Sequence, residues 1–297
     1  DSNHGIARIK RIDAERLRVE LAKKNIIIVA GFQGLNKYDD LTTLGRGGSD
    51  TSAVAIAAAL KADRCQIYTD VDGVYTADPR KVQGTVKLDK ITYDEMLELA
   101  NLGAQVLNNR SVEMAKKYNV ELEVLSSLER KPGTIVKEKV KMEKTLIKGV
   151  AMDSNVTSIS IVGLKDTPGV AFKLFNILAQ HKINVDIILQ SVGRDGTKDI
   201  TFTVSKDNYK EAIDAIENKQ DLFDYKALTF DDNIAKVSIV GAGMESNPGV
   251  AAKMFEALAD ANINIQMIST SEIKVSVLID IKNGEKAVQV IHDAFIH

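Results

Sequence analysis

The sequence has one cysteine, no long apolar run and almost no net charge. Cys65 has no second cysteine to pair with, so the fold contains no intramolecular disulfide. No apolar stretch reaches the ~18 residues of a membrane-spanning helix, which excludes an integral membrane protein. The 39 basic residues nearly balance the 41 acidic ones, whereas a protein held to nucleic acid through phosphates is more basic. Because no signal-peptide pattern opens the chain, we expect a cytoplasmic protein without nucleic-acid or membrane partners.

The chain length is enough for about two or three domains, and residues 1–145 have the pattern of one of them. Helical and strand patterns alternate in this part. An amphipathic helix is predicted over 13–24, a buried strand over 26–30, an Ala-rich helix over 52–61 and a strand over 65–69. Such alternation predicts a mostly parallel sheet covered by helices.

Helix signals continue further along this part. Thr92 and Glu95 have the spacing of a capping box at a helix start. Another helix is predicted over 111–118, with Asn119 as its end, and a strand over 120–125 follows.

The Lys-rich stretch 137–148 is predicted to be a solvated linker, with a binding patch as the alternative, and a domain boundary is placed after residue 145. Beyond it the chain repeats itself: residues 160–163 match 238–241, 168–171 match 248–251, and 183–185 match 263–265. Each copy has the pattern of a βαββαβ unit. We therefore expect two small α+β domains, 146–228 and 229–297, the second borrowing a strand from about 146–153.

Glycines and small polar residues cluster in segment 42–50, Thr-Thr-Leu-Gly-Arg-Gly-Gly-Ser-Asp, just before the Ala-rich helix. Glycines let the backbone approach a ligand, and free N–H groups at a helix start attract anions. The spacing fits neither a Walker A loop nor the G-x-G-x-x-G pattern. The segment is predicted to cradle a phosphate beside Arg46; the alternative is a simple turn in which Ser49 or Asp50 caps the helix.

Acidic residues dominate a second candidate, segment 69–80, which follows a predicted strand. Ligands bind at the carboxyl ends of strands in open α/β sheets, so this segment is a candidate ligand loop, with a solvated turn as the alternative. Asp70, Asp72 and Asp78 lack the Glu that completes a Ca²⁺-binding EF-hand loop. The four histidines lack metal-ligand spacing, so no metal site is predicted, and Cys65 is expected in the core.

Three segments resemble the C-terminal part of the catalytic domain of aspartate kinases, which belong to the amino acid kinase superfamily: residues 42–53, 68–80 and 102–120. The repeat, with ISTSEIKVSVLI at 268–279, resembles the tandem regulatory ACT domains of the same family. The resemblance covers essentially the whole chain. It implies an α/β fold, in which the C-terminal part of an amino-acid-kinase-type open sheet with helices on both faces is followed by two α+β ACT domains.

The resemblance also implies an activity, the transfer of the ATP γ-phosphoryl group, with Mg²⁺ between the phosphates, to the β-carboxylate of L-aspartate. By similarity, Arg46 would bind the substrate's carboxylate and Asp50 would orient the catalytic lysine. Phosphoryl oxygens would be held by Gly47, Gly48 and Ser49. The nucleotide would be bound by Thr69, Asp70, Tyr75, Arg80 and Gln105.

The sequence departs from the family pattern in two places. The Lys-Phe-Gly-Gly motif that supplies the catalytic lysine is not found in these 297 residues, so we expect the chain alone to be inactive. Gln105 stands where many members have a nucleotide-binding lysine, and Asn108 and Asn109 replace their usual His-Pro. Two interpretations stay open: an aspartate kinase regulated by amino acids, and a non-catalytic regulatory subunit that senses amino acids.

The Pro-Gly turn before the first helix of each repeat is predicted to bind a free amino acid, lysine or threonine or both, between ACT domains of two chains. A homodimer through these domains is therefore expected. The predicted contacts are Asp166, Gly169, Ala171 and Gln190 in the first unit, and Val250, Asn264, Ile265 and Ser271 in the second. The alternative is that Asp166 and Asn247 only cap their helices.

Overall fold

The computed structural model describes residues 1–102, 106–139, 146–191, 193, 196–244 and 247–296. These residues form three four-stranded sheets with their helices, together with one two-stranded hairpin. Within the described ranges, no helix is both long and apolar enough to span a bilayer. The α/β part comes first and the two α+β units follow, which confirms the predicted fold class.

The N-terminal part is an α/β layer built on a mixed sheet. Its elements are α1 (Glu15–Ala22), β1 (Gln33–Leu35), β2 (Leu41–Thr43), α2 (Gly48–Leu60), β3 (Cys65–Thr69), β4 (Lys90–Thr92), α3 (Tyr93–Asn101), α4 (Asn109–Tyr118), β5 (Leu122–Ser126) and β6 (Thr134–Lys137). The sheet order is β3-β5-β6-β4. The outer pairs are parallel and the central pair β5/β6 is antiparallel, so the sheet is mostly parallel as predicted.

In this part, the predictions that depend on neighbouring residues are confirmed. Thr92 Oγ1 accepts from the Glu95 N–H at 3.2 Å, and Glu95 Oε2 accepts from the Thr92 N–H at 3.1 Å, which completes the capping box. Asn119 ends α4 with a left-handed φ of +51°. Burial raises the pKa of the Cys65 thiol to about 11, as expected of a core cysteine rather than a nucleophile.

The predicted buried strand over 26–30 is wrong. Residues 26–30 have no regular secondary structure, and Ile26 and Ile28 are each 95% exposed. A continuous apolar run becomes a buried strand only when neighbouring strands take up its N–H and C=O groups. None of the described strands pairs with this run, so its side chains stay in solvent.

The first α+β unit has the predicted βαββαβ order. After β7 (Gly149–Asp153), its elements are β8 (Thr157–Lys165), α5 (Val170–Gln180), β9 (Ile188–Gln190), β10 (Thr197–Val204), α6 (Tyr209–Glu217) and β11 (Ala227–Asp231). Its four antiparallel strands follow the order β11-β8-β10-β9. Leu174 of α5 and Phe202 of β10 are completely buried in the core between the sheet and the helices.

The second unit contains β12 (Ile234–Val240), α7 (Val250–Asp260), β13 (Met267–Ser271), β14 (Lys274–Asp280) and α8 (Gly284–Phe295). Its sheet order is β13-β14-β12-β7, so the fourth strand comes from before the first unit. The approach to β7 is not a solvated linker, because Ile147 is 1% exposed and the Lys148 N–H donates to the Val240 oxygen at 2.7 Å. Residues 140–145 of the Lys-rich stretch lie outside the described residues.

Helix α8 of the second unit packs on the loop that follows β3, and we call this contact the α8 junction (Thr76, Gln83, Gln289 and His292). Thr76 Oγ1 lies 2.9 Å from His292 Nε2, and the Gln83 N–H donates to Gln289 Oε1 at 2.9 Å. The Val150 N–H of β7 donates to the Thr76 oxygen at 2.7 Å. His292 is 1% exposed, and this burial lowers the pKa of its imidazole while Asp293 opposes the change.

Candidate functional site

The Gly-rich segment 42–50 forms the turn into α2, and Gly47 makes that turn possible. Gly47 has a φ of +69°, in the left-handed region that favours glycine. The helix begins at Gly48, four residues before the predicted start, with Gly47 in the cap position. Ser49 and Asp50 lie inside the first turn of α2. Their interpretation as helix caps is therefore wrong.

The first turn of α4 holds the backbone of this segment in place. Asn108 Nδ2 donates to the carbonyl oxygen of Arg46 at 3.0 Å. The Arg110 guanidinium donates to the carbonyl oxygens of Leu44 at 2.7 Å and Ala7 at 2.8 Å. The Arg46 side chain is exposed. The cationic Arg46 side chain thus lies at the start of α2, and hydrogen bonds from α4 hold the backbone around it in place.

Asp50 is a partly buried carboxylate that forms no salt bridge with any described residue. Burial raises its pKa, while the backbone N–H of Asn108 and the Ser49 hydroxyl, 3.4 Å from Oδ1, oppose the rise. Among the described residues, no lysine or arginine contributes to its pKa. A carboxylate withdrawn from water in this way is suited to bind an ammonium group brought to the site.

The raised pKa makes the charged form of Asp50 a cost to folding, so Asp50→Asn is expected to raise the unfolding temperature at pH 7.5. Well above the folded pKa, the Asp50 carboxylate is charged in both the folded and the unfolded chain. The burial of that charge then destabilises the folded state to its full extent. As the pH falls towards 4, the folded carboxyl takes up a proton and the difference between variant and unchanged chain shrinks. Thermal unfolding at pH 7.5 and 4.5 measures this, with the exposed Asp63→Asn as control. A difference that does not change with pH contradicts the prediction.

The second candidate segment is held together by its own hydrogen bonds. Thr69 Oγ1 donates to Asp70 Oδ1 at 3.1 Å. The Tyr75 hydroxyl donates to Asp72 Oδ1 at 2.8 Å, and Lys87 Nζ lies 3.3 Å from Asp72 Oδ2. Both contacts lower the pKa of Asp72, and the hydrogen bond from Tyr75 is the largest single cause. Asp72 therefore positions the Tyr75 ring.

A cavity of about 310 Å³ opens beside this segment. Asp70, Tyr75 and Arg80 line it, so the structure brings three of the predicted nucleotide residues together, with Thr69 next to them. Asp78 holds the Arg80 guanidinium through two hydrogen bonds of 3.0 and 2.9 Å. The opposite wall comes from β7 and α8 of the second unit. A concave site of this size, with mixed apolar and polar walls, is typical of small-molecule binding.

A short stretch before α4 connects the two candidates. Val106 lines the cavity, and Asn108 contacts the Gly-rich segment. Gln105, the remaining predicted nucleotide residue, lies outside the described residues. The sequence assigned no role to Asn108 or Arg110, although an asparagine before a helix was a signal for a cap.

Left-handed glycines cap the first helices of both ACT-like units. Gly169 has a φ of +86° and precedes α5, and Gly249 has a φ of +95° and precedes α7. Asp166 and Asn247 therefore do not cap these helices, and that alternative is wrong. Asp166 instead forms an ion pair with Lys198 at 2.5 Å.

The other predicted effector contacts lie on first helices, turns and outer strands. The buried or half-buried residues are Ala171, Val250 and Ile265, and the exposed ones are Gln190, Asn264 and Ser271. Gln190 ends β9 and Ser271 ends β13, which are the outermost strands of their sheets. The effector site itself stays a prediction.

Comparison with known families agrees with this division of the chain. The model of the amino acid kinase family matches residues 3–126, and the ACT domain model matches residues 159–220 and 237–295. The first match contains the Gly-rich segment and the loop after β3. The two ACT matches fall within the two α+β units.

Individual relatives agree with the family models. An aspartate kinase of Pseudomonas putida is 52% identical over 297 residues, covering 99% of this chain and 72% of that protein. The structure of Escherichia coli aspartokinase III with aspartate and ADP (R-state) has a TM-score of 0.83 at 28% identity, covering 100% of this chain and 67% of that one. The same enzyme with lysine and aspartate (T-state) gives 0.75 at 28% identity, with 96% and 63% covered. The chain belongs to the aspartate kinase family.

Proposed function

We propose that this chain supplies the substrate and nucleotide sites of a feedback-regulated aspartate kinase of the cytoplasm. The reaction moves the γ-phosphoryl group of ATP to the β-carboxylate of L-aspartate and gives 4-phospho-L-aspartate, the first step towards lysine, threonine and methionine. One observation carries the proposal. The exposed Arg46 and the partly buried Asp50, which has no cationic partner among the described residues, lie together at a helix start that follows the left-handed Gly47.

Each group at this helix start has a distinct task. The planar guanidinium of Arg46 suits bidentate binding of a substrate carboxylate. The N–H groups of Gly47 and Ser49 and the Ser49 hydroxyl offset the charge of phosphoryl oxygens. Gly48 lies between them without a side chain, and its own N–H donates to the Gly45 oxygen at 2.9 Å. Asp50 holds the ammonium group of a lysine. The Lys-Phe-Gly-Gly motif that carries such a lysine is not among these residues, so they do not complete the transfer by themselves.

The nucleotide occupies the cavity next to Thr69, Asp70, Tyr75 and Arg80. Its volume of about 310 Å³ lies at the lower end of the usual range for small-molecule sites, and the E. coli relative was crystallised with ADP. Within the described part of the chain, no three His, Cys, Asp or Glu side chains cluster as a metal site. Mg²⁺ usually keeps several waters and is bound through one or two carboxylates and the substrate phosphates, so it would arrive with the nucleotide.

Regulation is assigned to the two ACT units. Lysine, threonine or both bind near Asp166 and Gln190 in the first unit or near Asn264 and Ser271 in the second, at a homodimer interface. Support comes from the outer strands β9 and β13, each paired on one side only within the described chain, and from the lysine-bound E. coli structure.

Two arginine variants test the assignment of the two ligands. Arg46→Ala is expected to weaken aspartate binding about tenfold or more, because the variant has no guanidinium to hold the carboxylate through two charged hydrogen bonds. Arg80→Ala is its matched control and should weaken Mg²⁺-ADP binding more than aspartate binding. Isothermal titration of the 297-residue chain with both ligands measures this.

Other results of these titrations decide against the proposal. Unchanged aspartate affinity in Arg46→Ala removes that residue from the substrate site. Binding of lysine or threonine without binding of ADP or aspartate favours the regulatory-subunit interpretation instead.

A further inference from the structure

Asn108 uses both ends of its side-chain amide between α4 and the Gly-rich segment. Its Oδ1 accepts from the Arg110 N–H at 3.0 Å and caps α4. Its Nδ2 donates to the carbonyl oxygen of Arg46 at 3.0 Å. One planar group thus fixes the start of a helix and the position of the neighbouring loop.

Gly47 packs directly against this amide. A Cβ atom at Gly47 would lie 2.4 Å from Asn108 Nδ2, so no space for another atom separates them. Gly47 is also the residue whose left-handed φ turns the chain into α2. The direction of the first N–H groups of α2 therefore depends on where the Asn108 side chain stands.

The two hydrogen-bond donors at the start of α4 also determine which polar groups of the loop point towards α4. Carbonyl oxygens repel an anion, whereas amide N–H groups attract it. Asn108 and Arg110 draw the carbonyl oxygens of Arg46 and Leu44 towards α4. The Gly48 N–H donates to the Gly45 oxygen at 2.9 Å, so the N–H groups of Gly47 and Ser49, for which the described residues show no acceptor, are left to face a phosphate.

We propose that Asn108 is a positioning residue for the phosphoryl transfer: its Nδ2 holds the Arg46 carbonyl and so sets the geometry of the loop that binds phosphate and carboxylate groups. The inference rests on the proposed function and adds to it a residue that acts through Arg46 and Gly47. A serine in this place keeps an acceptor for the N–H groups of α4, but it has no amide to reach Arg46. Asn108→Ser therefore separates the two tasks.

In the 297-residue chain, Asn108→Ser is expected to weaken binding of both Mg²⁺-ADP and aspartate about tenfold, with an unfolding temperature close to that of the unchanged chain. The control is Asn119→Ala at the other end of α4, where alanine must adopt a φ of +51°. It should lower the unfolding temperature and leave both affinities unchanged. Isothermal titration, thermal unfolding and the amide NMR signals of Gly47 and Gly48, which should move in Asn108→Ser alone, measure these effects.

The outcomes distinguish this inference from the function on which it rests. Unchanged affinities in Asn108→Ser, or affinities that follow the unfolding temperature across both variants, overturn the positioning role alone. An unchanged chain that binds neither ligand overturns the proposed function and the positioning role with it.

Discussion

Replacing Gly47 with alanine is expected to reduce the affinity for aspartate and for Mg²⁺-ADP about a hundredfold. An L-residue at a φ of +69° costs roughly 1 kcal/mol or more. The new Cβ atom would also lie 2.4 Å from Asn108 Nδ2, so the Asn108 side chain or the loop must move. Either movement breaks the hydrogen bond to the Arg46 carbonyl and displaces the groups that face the ligand. Weakening two charge-assisted hydrogen bonds to a ligand corresponds to about this factor.

Gly34→Ala is the matched control for this variant. Gly34 lies in the nearby β1–β2 hairpin, has no positive φ, and a Cβ atom there meets nothing within 4 Å. Titrations of both variants should therefore differ sharply, with Gly34→Ala close to the unchanged chain. Equal affinities in the two variants would show that the loop conformation does not govern binding.

His292→Ala is expected to loosen the α8 junction and to lower the free energy of unfolding by about 2 kcal/mol. The substitution removes a completely buried ring and the partner of the Thr76 hydroxyl at 2.9 Å. The loop that follows β3 should open more often, because β7 and α8 form the far wall of its cavity. Urea unfolding measures the first effect, and hydrogen exchange at residues 74–86 measures the second.

The effect of His292→Ala should also depend on pH. The folded pKa of His292 lies below its unfolded value of about 6.5, so the unfolded chain takes up a proton first as the pH falls. The stability that His292 contributes is therefore complete above pH 6.5 and declines below it. The exposed His181→Ala is the control. A destabilisation that stays constant from pH 7.5 to 5 would contradict the assignment of a neutral, buried ring.

Features governed by neighbouring residues were predictable from the sequence. The capping box of Thr92 and Glu95, the strand at Cys65–Thr69 and the helix end at Asn119 each depend on a few adjacent side chains. The repeat predicted two similar units because the same apolar spacing recurs. The Gly-rich segment was recognisable because such a run of glycines is costly unless the backbone needs it.

Features governed by distant partners were not predictable in this way. The apolar run 26–30 has the composition of a buried strand. Whether another strand pairs with it does not depend on the residues of the run itself. The sequence predicts the start of α2 four residues too late, because the left-handed Gly47 replaces the usual side-chain cap. His292 acquires its role only from Thr76, which lies far away in the sequence.

Strand β7 makes the first ACT unit an insertion within the second. Asp153 of β7 is the register partner of Lys236 in β12. The first unit is therefore inserted, in the sequence, between two strands that are adjacent and antiparallel in the sheet of the second unit. During translation, β7 has no partner strand in its sheet until the first unit and then β12 have been synthesised. Because that unit brings its own ends together when it folds, it shortens the effective loop that the second sheet has to close. Excising it and joining β7 to β12 by a tight turn preserves the second sheet, whereas a cut between the two units removes a strand from it.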